Sequence, residues 1–191
     1  MKKKLLAIVS AVCLSIMAAA PAAYAEESAA GSKDTTLRIE AEDYVKNRSS
    51  NENKGVKSDG ANGETYLDDM REGQVFCLAH DIDLTGLQAV DLSLAHSGGG
   101  AVYALYIDGT KNALGTKIAE AKIASTGGWQ KFQLQSLPLT ADATPARLSG
   151  THDLFLKVET APAGSLFCGN FDATVLTFGA YSDPLETVQI E

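Results

Sequence analysis

The first group of residues able to do chemistry is Ile39-Glu40-Ala41-Glu42-Asp43-Tyr44. On a β-strand, residues two apart share a face, so Glu40 and Glu42 would present carboxylates about 7 Å apart on one side. Like charges held that way repel unless water or a cation separates them. Asn170-Phe171-Asp172 offers a further acid near the other end of the chain. If the strands carrying these two segments pair, Glu40, Glu42 and Asp172 converge. Three carboxylates with nearby backbone carbonyls make the hard oxygen set that suits Ca²⁺. A solvated acidic face explains the same spacing and, on spacing alone, explains it better. Aromatic residues near turns form a second group. Trp129, the only tryptophan, follows Gly127-Gly128, and Tyr66 follows a stretch of Asn, Gly and Glu. A displayed ring stacks on the C–H face of a sugar while amides or carboxylates bond its hydroxyls. Tyr66, Trp129 and Asn170 supply that combination if their loops meet. A tryptophan plugging the core or a strand edge fits the sequence equally well.

Other chemistries find less support. His80, His96 and His152 fall in segments that read as strands, where a satisfied structural histidine is the better account. His96-Ser97-Gly98-Gly99-Gly100 superficially resembles an oxyanion-hole loop, but no Gly-x-Ser-x-Gly elbow accompanies it. No Cys-x-x-Cys, His-Glu-x-x-His or phosphate-cradling loop is present. Asp68-Asp69 or Asp81 with Asp83 could nominally serve a glycosidase, yet acids are common in so acidic a chain. Asn47-Arg48-Ser49 is a formal glycosylation sequon and says only that the segment is a surface loop.

The elements that must position these residues are short strands. Leu37, Ile39 and Ala41 alternate with Arg38, Glu40 and Glu42, and the same period-two pattern recurs. It predicts strands over 64–67, 74–84, 89–96, 102–107, 117–123, 131–134, 151–158 and 171–178. Turn signals divide them: Asp59-Gly60, Asn62-Gly63, Glu72-Gly73, Gly98-Gly99-Gly100, Asp108-Gly109 and Gly127-Gly128. Asp108-Gly109 reads as a tight hairpin turn. No segment holds a helical stripe. About nine strands at this spacing imply an all-β chain, an antiparallel β-sandwich or jelly roll.

The flanks set the context. Lys2, Lys3 and Lys4, an apolar run to Ala20, Pro21 and Ala23-Tyr24-Ala25 compose an export signal over 1–25, cleaved near Ala25. The reading is a secreted protein, extracellular or periplasmic. Residues 26–36 form a flexible lead-in, 37–178 the domain, and 179–191 a tail or linker. Removing residues 1–25 takes three lysines and no acid, carrying the formal charge from −8 to −11. Such a surface argues against nucleic acid and anionic membrane as partners. Cys77 and Cys168 remain after cleavage, and in an oxidising compartment they are expected to form a disulfide, the alternative being two buried free thiols flanked by Phe76, Leu78 and Phe167. That bridge would close a loop of about ninety residues, worth roughly 4–5 kcal/mol in the chain-entropy account.

Taken in order, Ile39–Tyr44, Tyr66-Leu67-Asp68 and Glu72-Gly73-Gln74-Val75-Phe76 resemble family 6 carbohydrate-binding modules. So do Leu105–Gly109, Thr126-Gly127-Gly128-Trp129-Gln130, Gly150–Leu154 and Gly169-Asn170-Phe171-Asp172. The resemblance runs from about Leu37 to Phe178. It implies a galactose-binding-domain-like jelly roll with a structural calcium held by Glu40, Glu42 and Asp172. It also implies a loop cleft in which Tyr66 and Trp129 hold a sugar ring between them and Asn170 bonds it. Two departures stand out: Gly73-Gln74-Val75 replaces the family's Gly-Asp-Trp, and Ala173 replaces a tryptophan after Asn-x-Asp. The reading is a non-catalytic module for a polysaccharide or oligosaccharide, with a separate glycoside hydrolase as an expected companion. The alternative is a structural or adhesive domain that has lost sugar binding, and a hydrolase is the remote third.

Overall fold

The computed structural model describes residues 34–51, 54–58 and 65–179. The expected export signal, most of the lead-in, the Asp59-Gly60 and Asn62-Gly63 turns and the tail from residue 180 lie outside the described residues. Among the described residues ten strands are formed: β1 Thr35–Glu40, β2 Val56–Ser58, β3 Thr65–Met70, β4 Val75–Asp83 and β5 Leu87–Ala95. They continue as β6 Val102–Thr110, β7 Ala113–Lys122, β8 Gln133–Ser136, β9 Thr151–Thr160 and β10 Gly169–Phe178. One sheet runs β2-β3-β10-β5-β8, with β1 also paired to β10, and the other runs β4-β9-β6-β7. Every pairing is antiparallel.

Alternation explains how the sheets stack. Val90, Leu92 and Leu94 of β5 point into a core shared with Tyr103, Leu105 and Ile107 of β6 and Leu154, Leu156 and Val158 of β9. These side chains are essentially shielded from water, which is what gives the sandwich its stability. β10 lies at the centre of its sheet. One edge pairs along its length with β5, while the other is shared: Gly169 and Phe171 face β3, and Ala173 to Phe178 face β1. The expected pairing of first and last strands is therefore present, with Glu40 opposite Ala173.

Three expectations are corrected. The β6–β7 hairpin turns at Lys111-Asn112, three residues beyond the predicted site. Asp108 and Gly109 both take positive φ (63° and 88°) but inside β6, where a Cβ on Gly109 would sit 2.4 Å from the Ala113 carbonyl oxygen. A short helix, α1 Pro145–Leu148, is present where none was predicted, with Thr144 accepting from the Arg147 amide and proline at its start. Its one turn is too short to leave a hydrophobic stripe. The third correction is the disulfide.

Cys77 and Cys168 are free thiols, both buried. Strand parity separates them. Phe76 and Leu78 of β4 face the main core, so Cys77 between them faces the outer side, against Val75 and Phe155. Cys168 lies in the main core. The outer pocket around Cys77 is closed by the segment at 45–50. Val45 donates to the Cys77 carbonyl, and the Ser49 hydroxyl accepts from the Cys77 amide. Ser49 is fully buried there, so the third position of the sequon is structural. Burial pushes the Cys77 thiol up to about 11, with Asp153 adding to it, and burial likewise raises Cys168. Ellman's reagent at pH 8 is therefore expected to react slowly with the native protein and rapidly with both thiols once it is unfolded in guanidinium. Absence of free thiol after unfolding of non-reduced protein would contradict this arrangement.

Candidate functional site

The loops between β5 and β6, β7 and β8, and β9 and β10 meet beside the start of β10. There a cleft of about 310 Å³ is lined by Lys57, Tyr66, Asp69, Trp129, Gln130 and Asn170. The structure thus brings the three aromatic-cleft residues named from sequence to one place, and adds Lys57, Asp69 and Gln130. Their geometry differs from a pair of facing plates. Trp129 is 40% exposed and presents a ring, but Tyr66 is 3% exposed, its ring packed 5.1 Å from that of Phe132. Asn170 is tied at both ends. Its Oδ1 accepts from the Asp69 amide at 3.1 Å, and its Nδ2 donates to the Trp129 carbonyl at 2.5 Å. One Nδ2 proton and one Oδ1 lone pair remain for another partner.

Asp69 holds its place by an unusual backbone, φ 48°, which aspartate tolerates better than most residues. Behind the cleft, Trp129 rests on His96 (ring centroids 4.8 Å) and meets Phe167 edge-on at 6.4 Å. The Arg71 guanidinium lies 5.0 Å over the Phe167 ring. Gln130 and Asp69 adjoin residues already singled out, so sequence proximity marks them. Phe132 and His96 carry no such mark, since their role depends on which loops meet.

Glycosidase geometry is not assembled from the named acids. Asp68 pairs with Lys57 at 2.7 Å, and Asp83 accepts from the Thr85 amide. Among the described residues, Asp69 is the only carboxylate lining the cleft. The Gly98 and Gly99 amides that would form an oxyanion hole are spent on His96 Nδ1, at 2.9 and 2.6 Å. A separate cluster sits where β4 bulges against β9. His80 contacts Asp81 and Asp153, and Arg48 also pairs with Asp153.

The three acids of the first group lie in one region but do not close on a common point: among the described residues the group whose ligand atoms lie within 4.8 Å of one another is His80, Asp81 and Asp153. Glu40 ends β1, Glu42 stands in the 3₁₀ turn Ala41–Asp43 rather than on the strand, and Asp172 belongs to β10. Arg38 bridges two of them, its Nε 2.8 Å from Glu40 and its Nη2 2.7 Å from Asp172. The hydrogen bond to Glu40 leads in holding the Arg38 guanidinium charged. Glu42 has no such partner. Its Oε1 accepts from the Thr65 hydroxyl, and its Oε2 is shielded from water without any hydrogen bond. Burial raises the Glu42 carboxyl above its usual range, and the charges of Glu40, Asp43 and Asp172 add to the rise. An orphaned, water-shielded carboxylate oxygen beside two further carboxylates fits a hard divalent cation such as Ca²⁺.

Comparison with solved structures places the architecture among family 6 carbohydrate-binding modules. The C-terminal module of LamC, a marine laminarinase from Zobellia galactanivorans, superposes with TM-score 0.54 and 17% identity, covering 75% of this chain and 99% of that one. A module from Clostridium cellulolyticum, solved with xylose, gives 0.55 and 19% over 76% and 97%. A β-1,3-glucan-binding module from Bacillus halodurans gives 0.52 and 20% over 73% and 94%. No protein-family model and no curated protein matches the sequence. The fold is that of family 6 carbohydrate-binding modules.

The raised Glu42 carboxyl has a consequence for metal-stripped protein. The folded state binds that proton more tightly than the unfolded state, so stability falls as pH rises from the ordinary glutamate range through the raised value. In chelator-treated protein, Glu42→Gln is expected to flatten that part of the Tm–pH curve. A curve unchanged by the substitution would contradict the electrostatic account.

Proposed function

We propose that this chain is an exported carbohydrate-binding module of the family 6 type, non-catalytic, with a glycan seated against Trp129. The observation that carries the reading is an exposed indole in a cleft lined by Lys57, Asp69, Gln130 and Asn170, on the loop end of this fold. The apolar face of a pyranose covers the indole, and side-chain donors and acceptors replace water at its hydroxyls. Tyr66, largely buried, forms the cleft wall and supports Phe132 rather than acting as a second free plate. Asn170 fixes the carbonyl end of Trp129 relative to Asp69, so the amide orders the site as well as facing it. A shallow cleft desolvates few groups, so affinity is modest. The partner is a polysaccharide or oligosaccharide, with a glycoside hydrolase acting alongside.

A calcium ion held by Glu40, Glu42 and Asp172 is part of the proposal. When bound it would offset two of the three negative charges these carboxylates carry. The orphaned Glu42 oxygen supports the site, while Arg38 would compete with the ion for Glu40 and Asp172. In metal-free protein the same arginine keeps β1 tied to β10.

Burial of Tyr66 favours a second reading, a structural domain on this fold without sugar binding. Affinity electrophoresis against xylan, β-glucan, laminarin and cellulose derivatives separates the two. Trp129→Ala is expected to abolish retardation, a loss of about 2 kcal/mol or more. Equal migration of wild type and variant on every glycan that retards either would overturn the cleft. For the ion, calcium is expected to raise the Tm of stripped wild-type protein, and Glu42→Gln to remove most of that rise. An unchanged Tm in wild type would remove calcium from the account.

A further inference from the structure

His96 is 3% exposed, and both nitrogens of its ring have hydrogen-bond partners. It follows the last residue of β5, whose partner across the sheet is Asn170. Nδ1 accepts from two successive backbone amides, Gly98 at 2.9 Å and Gly99 at 2.6 Å. A nitrogen that accepts twice carries no proton, so the ring's hydrogen is on Nε2, which donates to the Phe167 carbonyl at 3.2 Å. The face of the ring packs on Trp129 with a 44° tilt. On the main chain, the His96 amide donates to the Thr126 hydroxyl, and the Thr126 amide donates to the His96 carbonyl, each at 2.9 Å.

One residue thus joins three loops: β5–β6 through Gly98 and Gly99, β7–β8 through Thr126 and Trp129, and β9–β10 through Phe167. The glycines around it make room for this. A Cβ on Gly99 would lie 2.5 Å from the Ser125 amide nitrogen, and one on Gly169 would lie 3.1 Å from the Ala95 carbonyl oxygen. Gly99 (φ 67°) and Gly169 (φ 128°) also hold backbone conformations that side chains disfavour.

We propose that His96, as the neutral Nε2–H imidazole, is the positioning residue of the cleft: it sets the tilt of the Trp129 ring and clasps the three loops around it. Only the purpose of the plate rests on the carbohydrate reading; how the plate is held does not. Two substitutions divide the roles. His96→Phe keeps a ring beneath Trp129 but removes the acceptor. His96→Asn removes the ring but places an amide oxygen where it can accept from the residues two and three positions ahead, as in an Asx-turn.

The test uses the mature chain and begins with wild type, where ¹⁵N-resolved imidazole spectra at neutral pH are expected to show His96 protonated on Nε2 alone. A proton on Nδ1 overturns the proposal without any variant. Hydrogen exchange at Gly98 and Gly99 is expected to accelerate about tenfold in His96→Phe and to recover in His96→Asn. Acrylamide quenching of Trp129, unambiguous because it is the only tryptophan, is expected to rise about twofold in His96→Asn and less in His96→Phe. A merely structural histidine would lower Tm in both variants and leave native-state exchange and quenching in step with each other, which contradicts the proposal. On a glycan that retards wild type, each variant is expected to bind about tenfold more weakly. If no glycan retards wild type, the carbohydrate reading fails while the spectra still decide the role of His96.

Discussion

The pairing of β10 governs everything else in this molecule. One strand pairs along its length with β5 and, on its other edge, passes from β3 to β1 within ten residues. Because the handover falls between Phe171 and Ala173, Asn170 is delivered to the loop end beside β3 and Asp172 to the acids beside β1. The register also breaks twice there, between Gly169 and Phe171 against β3 and between Phe171 and Ala173 against β5. Such irregularities re-aim side chains that strict alternation would place differently. A single slip of this strand would reverse the faces of Asn170, Phe171 and Asp172 together.

Both polar centres are organised by groups that satisfy one another. At the acidic end, Arg38 compensates Glu40 and Asp172 but leaves Glu42 with an unpartnered oxygen. A shielded carboxylate without a partner costs more than a paired one, and the proposed cation is argued from that imbalance. At the loop end, Asn170 and His96 use most of their hydrogen-bonding capacity on the backbone of the loops. What they leave displayed is the indole of Trp129, the feature best suited to a sugar. Rigidity supplied in advance lowers the ordering cost of binding, which matters for a shallow site.

Much of the fold was legible because the core is built by alternation. Leu92 and Leu94, Tyr103 and Leu105, and Leu154 and Leu156 repeat every second residue, and all face inward. The meeting of Glu40 with Asp172 was legible too, since it needs only antiparallel pairing of the terminal strands. Details that depend on three dimensions were not. Period-two spacing placed Glu42 on a strand, whereas the chain turns at Ala41 to bury that residue. An even pair of cysteines suggested a bridge, but their parity relative to β4 puts a sheet between them. Tyr66 follows a polar stretch and so reads as a displayed plate, yet it is buried with its ring against Phe132, which is distant in sequence. The role of His96 is hidden in sequence for the same reason: its partners come from three separate loops.

The emission of Trp129 during titration with an oligosaccharide of a glycan that retards the protein tests the central claim most directly. Stacking of a pyranose on the indole predicts a saturable blue shift with the same midpoint as binding measured by calorimetry. Calorimetric binding with no change at the indole would place the sugar elsewhere and contradict the account.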